Sequence, residues 1–87
     1  MGLWKREKEI RVSSTAFSIF RRCKVGDDLD AAKMLAEIRE AEEWLELTNQ
    51  PNYYERARRT RRIISELREI LTTMRSGHPV KVVAFYD

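Results

Sequence analysis

Apolar residues recur at three- and four-residue spacing through two long stretches of the chain. Ala31, Met34, Ile38, Ala41 and Leu45 form one stripe, widened by Leu35 and Trp44. Tyr53, Ala57, Thr60, Ile64, Leu67, Leu71 and Met74 form the second, widened on one side by Ile63 and Ile70. That period is the signature of amphipathic helices, and it predicts one helix over 27–50 and another over 53–75. Gly26 ends what precedes the first helix, Asp27 or Asp28 is a suitable N-cap, and Asp27, Asp28 and Asp30 suit the positive end of the helix dipole. Asn52 with Glu55 three residues later reads as a capping box for the second helix, which closes near Gly77 and Pro79.

Only "NQPN" separates the two stripes. A connection that short packs the helices antiparallel as a hairpin. The seams then meet with Leu45 near Ala57, Ile38 near Ile64 and Ala31 near Leu71. Ile38, Ile64, Leu67 and Leu71 are the expected core.

The flanks are less regular. Within residues 1–26, "EIRV" alternates like a short strand, whereas "SSTAFSIFRRCKVG" offers a serine cap, five apolar residues and a glycine stop. The reading adopted is a short third helix over the hairpin. The tail at 78–87, with "PVKVVAFYD", is β-branched and aromatic and is expected to be extended, pairing with "EIRV" or with a second molecule. The fold class is therefore all-α in the main, a single small helical domain built on an antiparallel two-helix hairpin.

Composition changes this picture in one respect. A chain of 87 residues buries only roughly 60–65% of the surface its unfolded form exposes, so a bare hairpin core is thin. The termini folding over it, or dimerisation into a four-helix bundle, would supply the missing surface. With 36% charged and 43% hydrophobic residues, the chain is neither disordered nor membrane-like in composition. Its longest apolar runs fall far short of the ~20 residues of a membrane helix. A secretory signal would need a longer run than "AFSIF", and Glu7 and Glu9 do not suit a transit peptide. The expected compartment is cytoplasmic, with no membrane partner. A single Cys23 forms no intramolecular disulfide, which agrees with a reducing compartment.

Charge is unevenly placed. Residues 1–26 carry seven basic and two acidic side chains, 27–50 two basic and eight acidic, and 51–76 seven basic and three acidic. An acidic helix therefore lies beside a basic one in which Arg56, Arg58, Arg59, Arg61 and Arg62 crowd together. Glu42 flanks the seam on the edge of Arg61 and Arg68, and antiparallel packing sets these against one another. Arg56 falls near Trp44, where its guanidinium can stack on the indole. Arg58, Arg59 and Arg62 are left on the outer face, with Glu55 and Glu66 as local partners at four-residue spacing. They form either a solvated helix face or a docking surface.

Chemistry is sparse. His78 is the single histidine, Cys23 the single thiol, and the three glycines are isolated, so neither a catalytic triad, a metal cage nor a phosphate loop is legible. Glu37, Glu40, Glu42, Glu43 and Glu46 read as solvated helix charge. No catalytic, cofactor-binding or metal-binding residue is assigned, and a non-enzyme is expected. Tyr, Trp and Arg dominate binding hot spots, and Arg58, Arg59, Arg62, Tyr54 and Trp44 are the candidate partner-binding residues. The expected function is a protein-binding module, a small regulator or inhibitor that occupies a partner's surface. The alternative is a nucleic-acid-binding protein using the arginine face, although a net charge of +3 is low for neutralising a stretch of phosphates. A homodimer is a further possibility.

Two helices joined by a short turn and followed by "SGHPVKVV" resemble in outline, over roughly residues 28–83, the TraM-type antiactivators. Those proteins silence quorum-sensing regulators by direct protein binding. The resemblance implies a small helical inhibitor, a class that includes phage- and mobile-element-borne proteins of the same outline.

Overall fold

The computed structural model describes residues 7–26, 28–48 and 50–86. It is mainly helical, in the order β1 (Lys8–Ser13), α1 (Ser14–Arg22), β2 (Lys24–Val25), β3 (Asp28–Leu29), α2 (Ala31–Leu47), a 3-10 turn (Pro51–Tyr53), α3 (Tyr54–Arg75) and β4 (Val80–Tyr86).

The hairpin of α2 and α3 forms along the apolar stripes, and Ile38, Ile64, Leu67 and Leu71 are all buried. Ala31 and Leu71 border one shallow cleft at one end of the seam, and Leu45 and Ile64 border another along its edge. Both helix starts differ from the expectation. Asp30, rather than Asp27 or Asp28, caps α2, accepting a bond from the Lys33 backbone N–H at 3.0 Å. Gly26, at φ +66°, turns the chain so that Lys24 pairs with Leu29 and Val25 with Asp28 in a two-residue antiparallel ribbon. Asp28 is thereby held in a strand, and Asp27 lies outside the described residues. The expected Asn52 capping box is replaced by a turn of 3-10 helix starting at Pro51, and Tyr53 takes the N-cap position with no side-chain bond. Proline fixes φ near the helical value, so the tight turn begins there and moves Asn52 off the cap.

The N-terminal segment holds both of the elements weighed for it, a strand and then a helix. Ser13 ends β1 and caps α1, its hydroxyl accepting from the Ala16 N–H at 3.2 Å. The C-terminal tail is extended and pairs with β1 in parallel, Lys8 opposite Val80, Ile10 opposite Val82 and Val12 opposite Ala84, with an irregularity at Val12/Ser13. The fold is therefore not all-helical. A small parallel sheet joins the two ends of the chain and packs on α3.

This closure supplements the thin hairpin. Ile10, Val12, Ala16, Phe20 and Cys23 from the N-terminal elements share one buried cluster with Met34 and Ile38 of α2 and Ile64, Leu67, Ile70 and Leu71 of α3. Ile63 and Ile70 lie on the side of α3 where this layer packs. At the far end of the hairpin the aromatic residues stay in solvent: Trp44 is 52% exposed, Tyr54 62%, and Tyr53 is also exposed. Leu35, expected to widen the α2 stripe, is exposed as well. Among the described residues no helix is long and apolar enough to cross a membrane.

Candidate functional site

Helix α3 carries all five arginines of its N-terminal half, and the surrounding elements sort them. Arg56 lies with its guanidinium carbon 6.0 Å from the Tyr53 ring centroid. The aromatic partner is thus the neighbouring tyrosine, not Trp44, because the 3-10 turn brings the Tyr53 ring back alongside the first turn of α3. Arg61 borders the cleft that contains Glu42, Leu45, Ile64, Ser65 and Arg68. Within that cleft it is Arg68 that forms the ion pair and hydrogen bond with Glu42, both side chains being about half exposed. Glu42 thus meets the basic edge of α3 as the charge pattern requires, one heptad further along than Arg61.

Arg62 departs from the expected local pairing. Glu66, four residues on, is turned inward and is only 8% exposed. Its carboxylate accepts from the Ser13 backbone N–H at 3.3 and 3.2 Å and from the Ser13 hydroxyl at 3.0 Å, and the Tyr86 hydroxyl donates to it as well. Glu66 is held by the junction of β1 and α1 and by the end of β4, and Arg62 stacks on the Tyr86 ring at 4.8 Å instead. The sequence signal for an inward Glu66 is its place between Ile63 and Ile70, at i+3 and i+7 on the widened side of the stripe.

Arg58, Arg59 and Arg62 are exposed and share a shallow cleft with Glu55. A second cleft, continuous through Glu55 and Arg59, is formed by Pro51, Asn52, Tyr53, Tyr54 and Arg56. Arg59 and Arg62 also border a narrow apolar notch with Ser13, Thr15 and Ile63, beside the first turn of α1. Four of the five candidate residues, Tyr54, Arg58, Arg59 and Arg62, therefore lie on one continuous surface. Trp44, on α2, borders neither cleft.

Among the described residues, none of the ion pairs within 4.0 Å includes Arg58, Arg59 or Arg62. Three guanidiniums offering forked donors to solvent beside an exposed tyrosine make a surface suited to carboxylate or phosphate groups. Among the described residues no group of three or more His, Cys, Asp or Glu is placed to hold a metal ion. Cys23 is buried in the core, where loss of hydration, and secondarily the nearby Glu37 carboxylate, push its thiol pKa up and away from the reactive thiolate. Compared with protein-family models, curated proteins and solved structures, the chain has no match.

Proposed function

We propose that the chain is a non-enzymatic protein-binding module, a small regulator or inhibitor that docks an acidic surface of a partner protein on the Tyr54–Arg62 face of α3. The class is that of antiactivator-like or mobile-element-type inhibitors. What carries the reading is the convergence of Tyr54, Arg58, Arg59 and Arg62 on one surface while the carboxylate nearest Arg62 in the helix is committed to Ser13 and Tyr86. Unpaired guanidiniums reach a partner's carboxylates without first breaking an internal salt bridge. An exposed tyrosine beside them adds apolar contact at low entropic cost. The rest of α3 is anchored in the core, so the docking face is held rigid and loses little freedom on binding.

Capture of partners from a host lysate on the immobilised chain tests this, with Arg58→Glu/Arg59→Glu as the paired bait. A protein retained in stoichiometric amount by the parent and lost from the double variant supports the reading. Retention of nucleic acid alone, released steeply with salt, would replace it with the nucleic-acid alternative.

A further inference from the structure

The two strands that close the fold are not equally protected. In a parallel ladder, alternate residues of a strand turn both backbone groups toward one neighbour and the residues between turn theirs the other way. The Lys8 N–H donates to the Pro79 carbonyl at 2.8 Å, and the register runs Lys8 to Val80 and Ile10 to Val82. Lys81 and Val83 therefore spend their backbone groups on β1, and Val80, Val82 and Ala84 project theirs to the opposite side. β1 is also an edge, but it carries the charged Lys8, Glu9 and Arg11, and the outward N–H of Ser13 is taken by Glu66. No strand pairs with β4 on its outer side, so its row of donors and acceptors stands open among the described residues. Ala84 is exposed, and Phe85 is 62% exposed. A seven-residue strand of this composition, with Lys81 as its one charged residue, is poorly guarded for an edge. A two-stranded sheet is also marginal on its own.

We infer that the open edge of β4 pairs antiparallel with β4 of a second copy of this chain, about a two-fold axis at Val83. This register overlaps the whole strand, and its central part joins open groups only to open groups. Val82 and Ala84 of each copy exchange N–H···O=C bonds with Ala84 and Val82 of the other, four bonds in all. Val83 meets its own copy in the non-hydrogen-bonded position, where side chains approach most closely. Lys81 falls opposite the partner copy's phenylalanine at position 85. Arg11 stacks on the Phe85 ring at 4.7 Å and Tyr86 meets it edge-on, yet Phe85 remains 62% exposed, which leaves surface for that ammonium group. Like charges are nowhere opposed, which is the complementarity an isologous contact requires of a strand pairing with itself. The product is a four-stranded sheet, β1–β4–β4–β1, with no open apolar edge at its centre. This dimer uses the end of the fold that carries the sheet.

Sedimentation velocity over a concentration series is expected to show a reversible dimer. Val82→Pro removes an N–H that the β1 ladder does not use, and the variant is expected to be monomeric with an unchanged helical circular-dichroism spectrum. Val83→Cys is expected to form a reducible cross-linked dimer on mild oxidation, whereas Lys81→Cys, which faces Phe85 rather than itself, is not. These cysteine variants keep the test decisive if Val82→Pro lowers the helical signal. A parent that stays monomeric at the highest attainable concentration overturns the proposal. So does a dimer indifferent to Val82→Pro, or Lys81→Cys that cross-links as readily as Val83→Cys.

Discussion

The hydroxyl of Tyr86, at the end of β4, donates a hydrogen bond to the buried carboxylate of Glu66 in the middle of α3. Because the same carboxylate also receives the Ser13 N–H and hydroxyl, one side chain fastens the N-terminal and C-terminal strands to the helix between them. Hydrogen bonds to charged groups contribute about 1.5–3 kcal/mol each, and removing one partner of a buried set leaves the others unsatisfied. Tyr86→Phe is expected to lower stability by about that amount in a urea titration. Glu66→Ala is expected to cost more, because Ser13 loses its acceptor. Adding Tyr86→Phe to Glu66→Ala should then cost little further, so a strictly additive double variant would show that the two groups do not act together.

Glu42 of α2 pairs with Arg68 of α3 across the edge of the hairpin seam. Both side chains are about half exposed, so the pair contributes only ~0–1 kcal/mol. Glu42→Arg is expected to destabilise by about 1 kcal/mol, with salt recovering part of the loss. Arg68→Glu in that background should restore stability beyond additivity. Arg61→Glu should restore less, since Arg61 lines the cleft without bonding to Glu42.

Leu67 has no exposed surface and lies in the cluster that joins the hairpin to the N-terminal layer. Leu67→Ala is expected to cost ~2–5 kcal/mol, a large part of the stability of so small a domain. A thermal melt close to that of the parent would place the sheet and α1 elsewhere than on this face of α3.

How far such features are legible in the sequence depends on how local their causes are. The hairpin core follows from spacing alone, because Ile38, Ile64, Leu67 and Leu71 fall on stripes that local periodicity exposes. The start of α2 does not: three acids within four residues are equivalent as caps, and the choice of Asp30 is made by the Gly26 turn and the ribbon that follows it. The alternation of "EIRV" and the β-branched tail mark two extended segments, but the parallel sheet pairs residues 8–13 with 80–86, a contact between distant segments that no local pattern contains. At the candidate site, the segregation of Arg58 and Arg59 onto the surface was readable from the helical wheel. The inward turn of Glu66 depends on a serine and a tyrosine from opposite ends of the chain, and Arg62 consequently stacks on Tyr86 rather than pairing along its own helix. Residue type alone groups Trp44 with the arginines, and its place on α2 separates it from them.

Stability at alkaline pH carries a signature of Cys23. Burial, followed by the Glu37 carboxylate and Asp30, pushes its thiol pKa up, with Lys33 and Arg22 opposing. The folded state therefore holds the thiol proton to higher pH than the unfolded chain does. The associated stability is fully present below the unfolded thiol value and is lost as pH rises through the folded one. Unfolding free energies of the parent are expected to fall more steeply across this alkaline range than those of Cys23→Ala. Parallel curves for the two proteins would show that the thiol titrates alike in both states.

On the proposed docking face, effects on binding and on stability are expected to separate. Arg59 forms no ion pair among the described residues, and Arg62 stacks on Tyr86, the ring whose hydroxyl holds Glu66. Arg59→Glu is expected to leave the melt within about 0.5 kcal/mol of the parent, as surface changes away from special contacts do, and to abolish capture of an acidic partner. Arg62→Glu is expected to weaken capture and also to lower stability by about 1 kcal/mol, through loss of the cation–π contact and the new charge beside Glu66. Arg58→Gln, which removes charge without reversing it, should weaken capture less than Arg59→Glu and leave the fold unaffected. If Arg59→Glu binds the partner as the parent does while Arg62→Glu only destabilises, the guanidiniums act within the fold alone, and the docking surface must be sought elsewhere on the molecule.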